Sequence, residues 1–309
     1  MVIRVQRASS APREDTSAVD AATSVQTLAV LLQAGAVPAA AWRHLADTGD
    51  THAQAVVARL DAGVPLLEAI EAEGGAWIDL AAAWEIATTV GAPLAEVLRI
   101  IAETVRDAAS AADDVRIALA EPAGTARLLL WMPLAGLLLG FALGFDTVGV
   151  VMRNPLAAAC VLVGLGLVGV ARVWTRRLLR SARPGPGTPG MRAELVAIAV
   201  SGGASVERAL HLVATSSLSE HEHEHEHEQS HRISAVLDLS RAAGVPAAEL
   251  LRASAAQERH AARVQGRIRA ARLSSRLLLP LGVCTLPAFL LLGVAPLLLS
   301  VLGSTPIPL

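Results

Sequence analysis

Histidine and glutamate alternate without a break from Glu220 to Glu228, and His231 follows three residues later. Imidazole and carboxylate are good ligands for Zn²⁺ or Ni²⁺, so metal chemistry is the first use to consider for this run. Strict alternation is also a low-complexity pattern, and no apolar residue within it ties the ligands to a core. A metal site further needs outer hydrogen bonds that hold each imidazole in place, and the run supplies none. Residues 219–231 read as a flexible, solvated loop joining two helices, with any metal binding adventitious. A pH-sensing loop is the other use the histidines allow.

The remaining reactive side chains point away from catalysis. Asp113 and Asp114 are adjacent acids, read as an exposed helix face near Arg116 rather than a catalytic pair. Cys160 and Cys284 lie in apolar runs with no spacing motif, as small buried hydrophobes do. Cys284 and Thr285 have no histidine or aspartate near them in sequence, so an intramembrane nucleophile would lack its base. All 26 basic residues are arginine, and a chain without lysine has neither a phosphate-loop lysine nor a Schiff-base amine. No catalytic residue, cofactor site or metal site is assigned, and the chain reads as a scaffold, not an enzyme. A net charge of -2 implies no bulk attraction to nucleic acid.

Composition turns attention to the membrane. Hydrophobic residues make up 53% of the 309 and charged residues 17%, below the roughly 25% of soluble proteins. Three stretches reach the length of about 20 apolar residues that a bilayer needs: about 128–145, 156–173 and 277–303. Gly164, Gly166 and Gly169 offer the second stretch a smooth face for helix packing. No charged side chain falls inside a span short of its end, so an ion path or proton relay has no support.

Arginines set the expected orientation. Arg127 precedes the first span, Arg172, Arg176, Arg177, Arg180 and Arg183 follow the second, and Arg267, Arg269, Arg272 and Arg276 crowd the entrance to the third. The N-terminus and residues 175–276 are then cytoplasmic, with the loop Asp146–Asn154 and the tail 304–309 outside. Residues 1–23 are polar and lack the apolar stretch of a secretory signal, and they read as a disordered leader.

Between spans the apolar spacing is helical and strand alternation is absent, so the fold class is all-α. Gly35, Gly63, Pro65, Gly91 and Pro93 divide residues 24–127 into a helical bundle with short turns. Its acidic side carries Glu68, Glu71, Glu73, Asp79 and Glu85, read as a solvated face open to a partner, and Trp42, Trp77 and Trp84 read as core. Residues 175–276 repeat the pattern as a second bundle. At a shift of 168 Gly35 meets Gly203. At a shift of 153 the block Gly91-Ala-Pro-Leu-Ala-Glu-Val-Leu-Arg99 meets Gly244-Val-Pro-Ala-Ala-Glu-Leu-Leu-Arg252, so that Pro93, Glu96 and Arg99 find Pro246, Glu249 and Arg252. At a shift of 154 Pro133 meets Pro287. The repeated unit is a bundle, a long basic helix and a span. Glu96, Arg99, Glu249 and Arg252 are candidates for an exposed partner surface, the alternative being that they only brace their helices.

These paired blocks resemble the type II secretion system F family, as does the arginine-rich helix running into Arg276-Leu-Leu-Leu-Pro-Leu-Gly-Val-Cys-Thr-Leu-Pro-Ala-Phe289. The Ala/Arg-rich texture is most similar to tight-adherence (Tad) pilus members of actinobacterial type. The resemblance covers about residues 25–303. It implies a multi-pass inner-membrane platform protein of a type II secretion, Tad or type IV pilus machine, coupling a cytoplasmic assembly ATPase to pilin insertion or extraction. Its implied partners are that ATPase, pilin subunits, a paralogous platform subunit or further copies of itself, and membrane lipids. The chain departs from the family in a shortened second bundle. A small transporter or channel component is the alternative function, and it would need polar groups within the spans.

Overall fold

Helix-stopping glycines organise the chain. Gly35 and Gly203 adopt φ of 92° and 93°, a left-handed conformation that costs a residue without Cβ little. The same two hydrogen bonds close each turn: Ala36 N–H donates to the Leu31 carbonyl and Gly35 N–H to Leu32, while Ala204 N–H donates to Ala199 and Gly203 N–H to Val200. Both are the paired closure that satisfies the last carbonyls of a helix. Gly91 and Gly244 also lie at positive φ, and Pro93 and Pro246 immediately precede the following helices, where a missing N–H is harmless.

The structure is a computed structural model that describes residues 14–142, 155–181, 187–216 and 226–295. Every regular element among them is helical. In chain order these are α1 Glu14–Gln33, α2 Pro38–Asp47, α3 Thr51–Asp61, α4 Leu66–Glu71, α5 Ala76–Val90, α6 Leu94–Ala142, α7 Pro155–Ser181, α8 Met191–Ser201, α9 Val206–Ala214, α10 Glu226–Ala243 and α11 Ala247–Pro280. After Pro280 the helix continues through a widened π turn, Leu281–Thr285, an α-helical turn, α12 Leu286–Phe289, and a second π turn, Leu290–Val294. The first π turn holds Val283, whose carbonyl would have received the N–H that Pro287 lacks. Widening relieves that ring clash. Two compact units result, one of residues 1–113 with 185–264 and one of 114–184 with 265–309.

In the first unit the core is continuous from Ala21 to Ala255. It takes in α1–α5, the start of α6, and α8–α11, so the two expected bundles are corrected to one. The reason is visible in α8, where every residue from Met191 to Ala199 is buried. A helix without a polar face cannot sit on the surface of a small bundle, and α3 and α4 have no counterpart between α9 and α10 among the described residues. It packs instead on α5, which is itself buried on most sides and built from alanines that let neighbours come close. Thr188 donates to Asp79 near one end, and Gly202 lies against Val90 near the other, so the two helices run side by side in the same direction. Trp42, Trp77 and Trp84 are buried here, with ring centroids 5.9 and 6.5 Å from Trp42.

Two boundaries move. Helix α1 begins at Glu14, inside the expected leader, and Ala21 and Ala22 are buried. Ser24 donates to Asp50, which also caps α3 by accepting from Ala53 N–H at 2.8 Å. That pairing, invisible to local composition, fixes α1 in place. Helix α10 starts at Glu226, so the loop expected over 219–231 ends earlier. Glu228 pairs with Arg232 one turn on at 2.8 Å, and acids suit a helix N-terminus.

The second unit packs the end of α6, α7 and α11 with its continuation. One layer joins Val115 and Leu119 to Ala270, Leu273 and Leu277, with Leu178 and Leu179 against them. The next joins Ala126, Leu130, Ala171 and Cys284. Two helical segments, 158–181 and 247–294, are long and apolar enough to cross a membrane. Only 17% of the first window is buried, whereas a core helix of a soluble protein would be mostly covered. Large apolar side chains point outward: Leu128 at 73%, Leu162 at 70% and Val283 at 62% exposure. Such a surface is consistent with a membrane protein. The expected first span, 128–145, occupies the end of α6, and its last three residues lie outside those described, as do the loop 146–154 and the tail.

Of the three glycines read as a packing face, only Gly164 packs. A Cβ there would lie 2.6 Å from Leu292 Cγ, whereas Gly166 and Gly169 face open space. Gly164→Ala is therefore expected to lower stability by about 1–3 kcal/mol through overpacking. Gly166→Ala should change it by less than about 0.5 kcal/mol, as an open surface site does. Thermal unfolding of both variants in one detergent checks this.

Candidate functional site

The long helices α6 and α11 meet along a run of polar contacts. Arg263 donates to Ser110 Oγ at 3.2 Å and to the Asp107 carbonyl at 3.5 Å, and Arg259 lies 3.9 Å from the Asp107 carboxylate. In the second unit Arg267 donates to Asp114 at 2.9 Å. Arg259, Arg263 and Arg267 recur every four residues, as one face of a helix requires. The Ser110–Arg263 and Asp114–Arg267 pairs are both separated by 153 residues, the shift that overlays Gly91 on Gly244. Gly136 and Phe289, in close contact in the second unit, have the same separation. Positions 153 residues apart therefore face each other on α6 and α11, as they do along a parallel helix pair. Asp114 is thus a partner of Arg267 rather than half of an acid pair.

Behind this ladder a carboxylate is buried. Glu194 of α8 is 3% exposed, with Arg259 Nη1 at 3.4 Å and Arg252 Nε at 3.9 Å. Burial pushes its carboxyl above the usual glutamate range, and Arg259 and then Arg252 pull it part of the way back. Glu258 of α11 is raised for the same reason, burial, with Arg232 opposing it. Arg192 and Asp79 are the other charges buried around α8 and α5.

The repeat residues divide in two. Glu96 and Arg99 are exposed on α6 with no ion pair to a described side chain, and Pro93 and Pro246 are exposed at their turns. Arg252 is pinned instead: it donates to Glu249 and to Ser201, both at 3.0 Å, besides facing Glu194. Gly35, Gly91, Gly203 and Gly244 are turn formers whose role is backbone geometry.

The expected acidic side is also split. Glu68 is exposed, but Asp79 is buried and accepts from Thr188, and Glu73 is held by His52 and Arg59, both at 2.5 Å. These acids tie helices together and are corrected from a solvated face. Among the described residues no group of three or more His, Cys, Asp or Glu could hold a metal ion. The His/Glu run from 220 to 225 lies outside them. Sequence reasoning missed Glu194, Arg259 and Asp107; the four-residue arginine period on α11 was the signal for Arg259.

Residues 24–142 match the family model described as Type II secretion system (T2SS), protein F. The match starts within α1 and ends with α6. This stretch of the chain is similar to the type II secretion system F domain, which occurs in membrane platform components of secretion and pilus systems. No match is found among curated proteins or among solved structures.

Proposed function

We propose that the chain is a non-enzymatic inner-membrane platform of a Tad or type IV pilus assembly or type II secretion machine. The observation that carries this reading is α6. It starts among the buried helices of the family-matched domain and runs unbroken for 49 residues into an apolar segment. A continuous helix of that kind joins the family-matched domain to the apolar segment, so it is a route by which displacement of the one reaches the other. Helix α11 does the same with its continuation, and the shared 153-residue register supports an internal duplication that makes the two helices equivalent levers.

On this reading the first unit is cytoplasmic and docks the assembly ATPase, with exposed Glu96 and Arg99 at the root of α6 on its docking face. Three spans cross the membrane, with the N-terminus inside and the C-terminus outside. Pilin subunits meet the spans laterally. No residue is assigned covalent chemistry. Crosslinking in membranes followed by purification should recover a cytoplasmic ATPase together with pilin-like proteins, and reproducible absence of both would overturn the assignment. A reporter fused after Leu309 should be active only outside the cytoplasm; activity inside would remove one span from the topology.

A further inference from the structure

The net charge of -2 conceals a division between the two units. Residues 114–184 and 265–309 hold twelve of the 26 arginines and three of the 28 acids, a net charge of +9 against -11 for the rest of the chain. The structure places much of that charge in one layer. Leu178 and Leu179 of α7 pack on the cluster formed by Val115 and Leu119 of α6 with Ala270, Leu273 and Leu277 of α11, so the side chains that flank them on α7 and α11 lie in one layer. Those side chains are Arg176, Arg177 and Arg180 on α7 and Arg269, Arg272 and Arg276 on α11, all exposed. None of the six forms an ion pair with a described acid; Arg269 donates only to its own helix, at the Gln265 carbonyl. Beyond the layer, Arg172 apart, the exposed surface becomes apolar, with Val173, Trp174 and Leu279 at 53, 40 and 58% exposure.

We infer that this layer is a binding surface for anionic phospholipid headgroups, formed between the end of α7 and the start of the α11 span. The inference rests on the membrane reading of the second unit and goes beyond orientation, because it assigns headgroup selectivity to named side chains. Guanidinium groups bind phosphate oxygens through paired N–H donors in a planar fork. Six of them on two helices of one layer form a concentrated positive field, and the described acid at that layer, Asp114, pairs with Arg267 rather than with any of the six. An acidic protein would also match that charge. The apolar surface beyond the layer fits acyl chains attached to the same headgroup, and an indole at the boundary is characteristic of a lipid interface. Each arginine near a charged membrane surface adds about fivefold to affinity, and the effect fades with salt.

The test uses the full chain purified in a neutral detergent and offered phosphatidylglycerol or phosphatidylcholine at equal concentration, with bound lipid counted by native mass spectrometry. The expected result is retention of phosphatidylglycerol well above phosphatidylcholine, weakening as KCl is raised from 50 to about 500 mM. Replacing Arg176, Arg177 and Arg180 by Gln together should cut that retention by roughly a hundredfold, while Arg43→Gln, at an exposed site in the first unit, should not change it. Inorganic phosphate added at the lipid concentration should not compete; full competition would show a free-phosphate site and overturn the lipid assignment. Equal retention of the two lipids by the unmodified chain would also overturn it, and would leave an acidic protein as the occupant. Release of the chain from native membranes by alkaline carbonate is a separate failure, of the membrane reading itself, and would take this inference with it.

Discussion

Trp42→Ala is expected to destabilise the first unit by about 3–5 kcal/mol and to loosen helices more than 140 residues away in sequence. Trp42 is fully buried and packs on Trp77 and Trp84. Trp84 lies on α5, the helix against which α8 is packed, and α8 has no polar face with which to meet water. If residues 24–127 and 175–276 were separate bundles, truncating Trp42 would loosen the first and leave the second alone. With one core the damage is shared, because a cavity beside α5 weakens everything that α5 supports. Hydrogen exchange on the full chain in detergent checks this directly. Amide protection over 191–201 should fall together with protection over 38–47. Unchanged exchange over 191–201 would restore the two-bundle description.

The part of this architecture legible beforehand was the part dictated by single residues. A glycine at φ of 92° or 93° is required by the turn itself, so the correspondence of Gly35 with Gly203 could be read without a fold. The tryptophans were legible as core because each falls on a helix with apolar neighbours at helical spacing. Pairing between distant helices was not legible in this way. Met191-Arg-Ala-Glu-Leu-Val-Ala-Ile-Ala199 contains two charges that make α8 look half-exposed, yet Arg192 and Glu194 are both buried. The start of α1 was obscured for a related reason. Glu14, Asp15 and Asp20 give it the composition of a solvated segment, and only its packing and the Ser24–Asp50 hydrogen bond reveal a structural helix. The arginine ladder is an intermediate case. The 153-residue shift was already in hand from the Gly91 and Gly244 blocks, but that it is also a contact register follows only from the two helices running parallel.

That register bears on the candidate site, because it determines which groups meet Glu194. Arg259→Ala should cost about 3 kcal/mol near neutral pH, since it leaves a carboxylate in the core with Arg252, 3.9 Å away, as its nearest cation. The loss should depend on pH, with a sign set by the carboxyl itself. Burial already raises the folded-state pKa of Glu194, and Arg259 is the largest influence opposing that rise. A carboxyl raised on folding favours the folded state most below its unfolded value of about 4.3, and that support is lost as pH rises through the folded value. Removing Arg259 moves the folded value further up, so the variant should lie close to the parent chain near pH 4 and fall progressively behind it towards pH 7. Glu194→Gln should flatten the same slope in the parent. The double variant Glu194→Leu with Arg259→Leu should recover most of the stability, because an apolar pair of similar volume carries no desolvation cost. Urea titrations of the full chain in detergent at three pH values, followed by hydrogen exchange over 191–201, would resolve all four chains. A penalty for Arg259→Ala that is the same at pH 4 and pH 7 would mean that the arginine acts by packing its stem. Glu194 would then be held in the core by its neighbours on α5 and α6 rather than by charge.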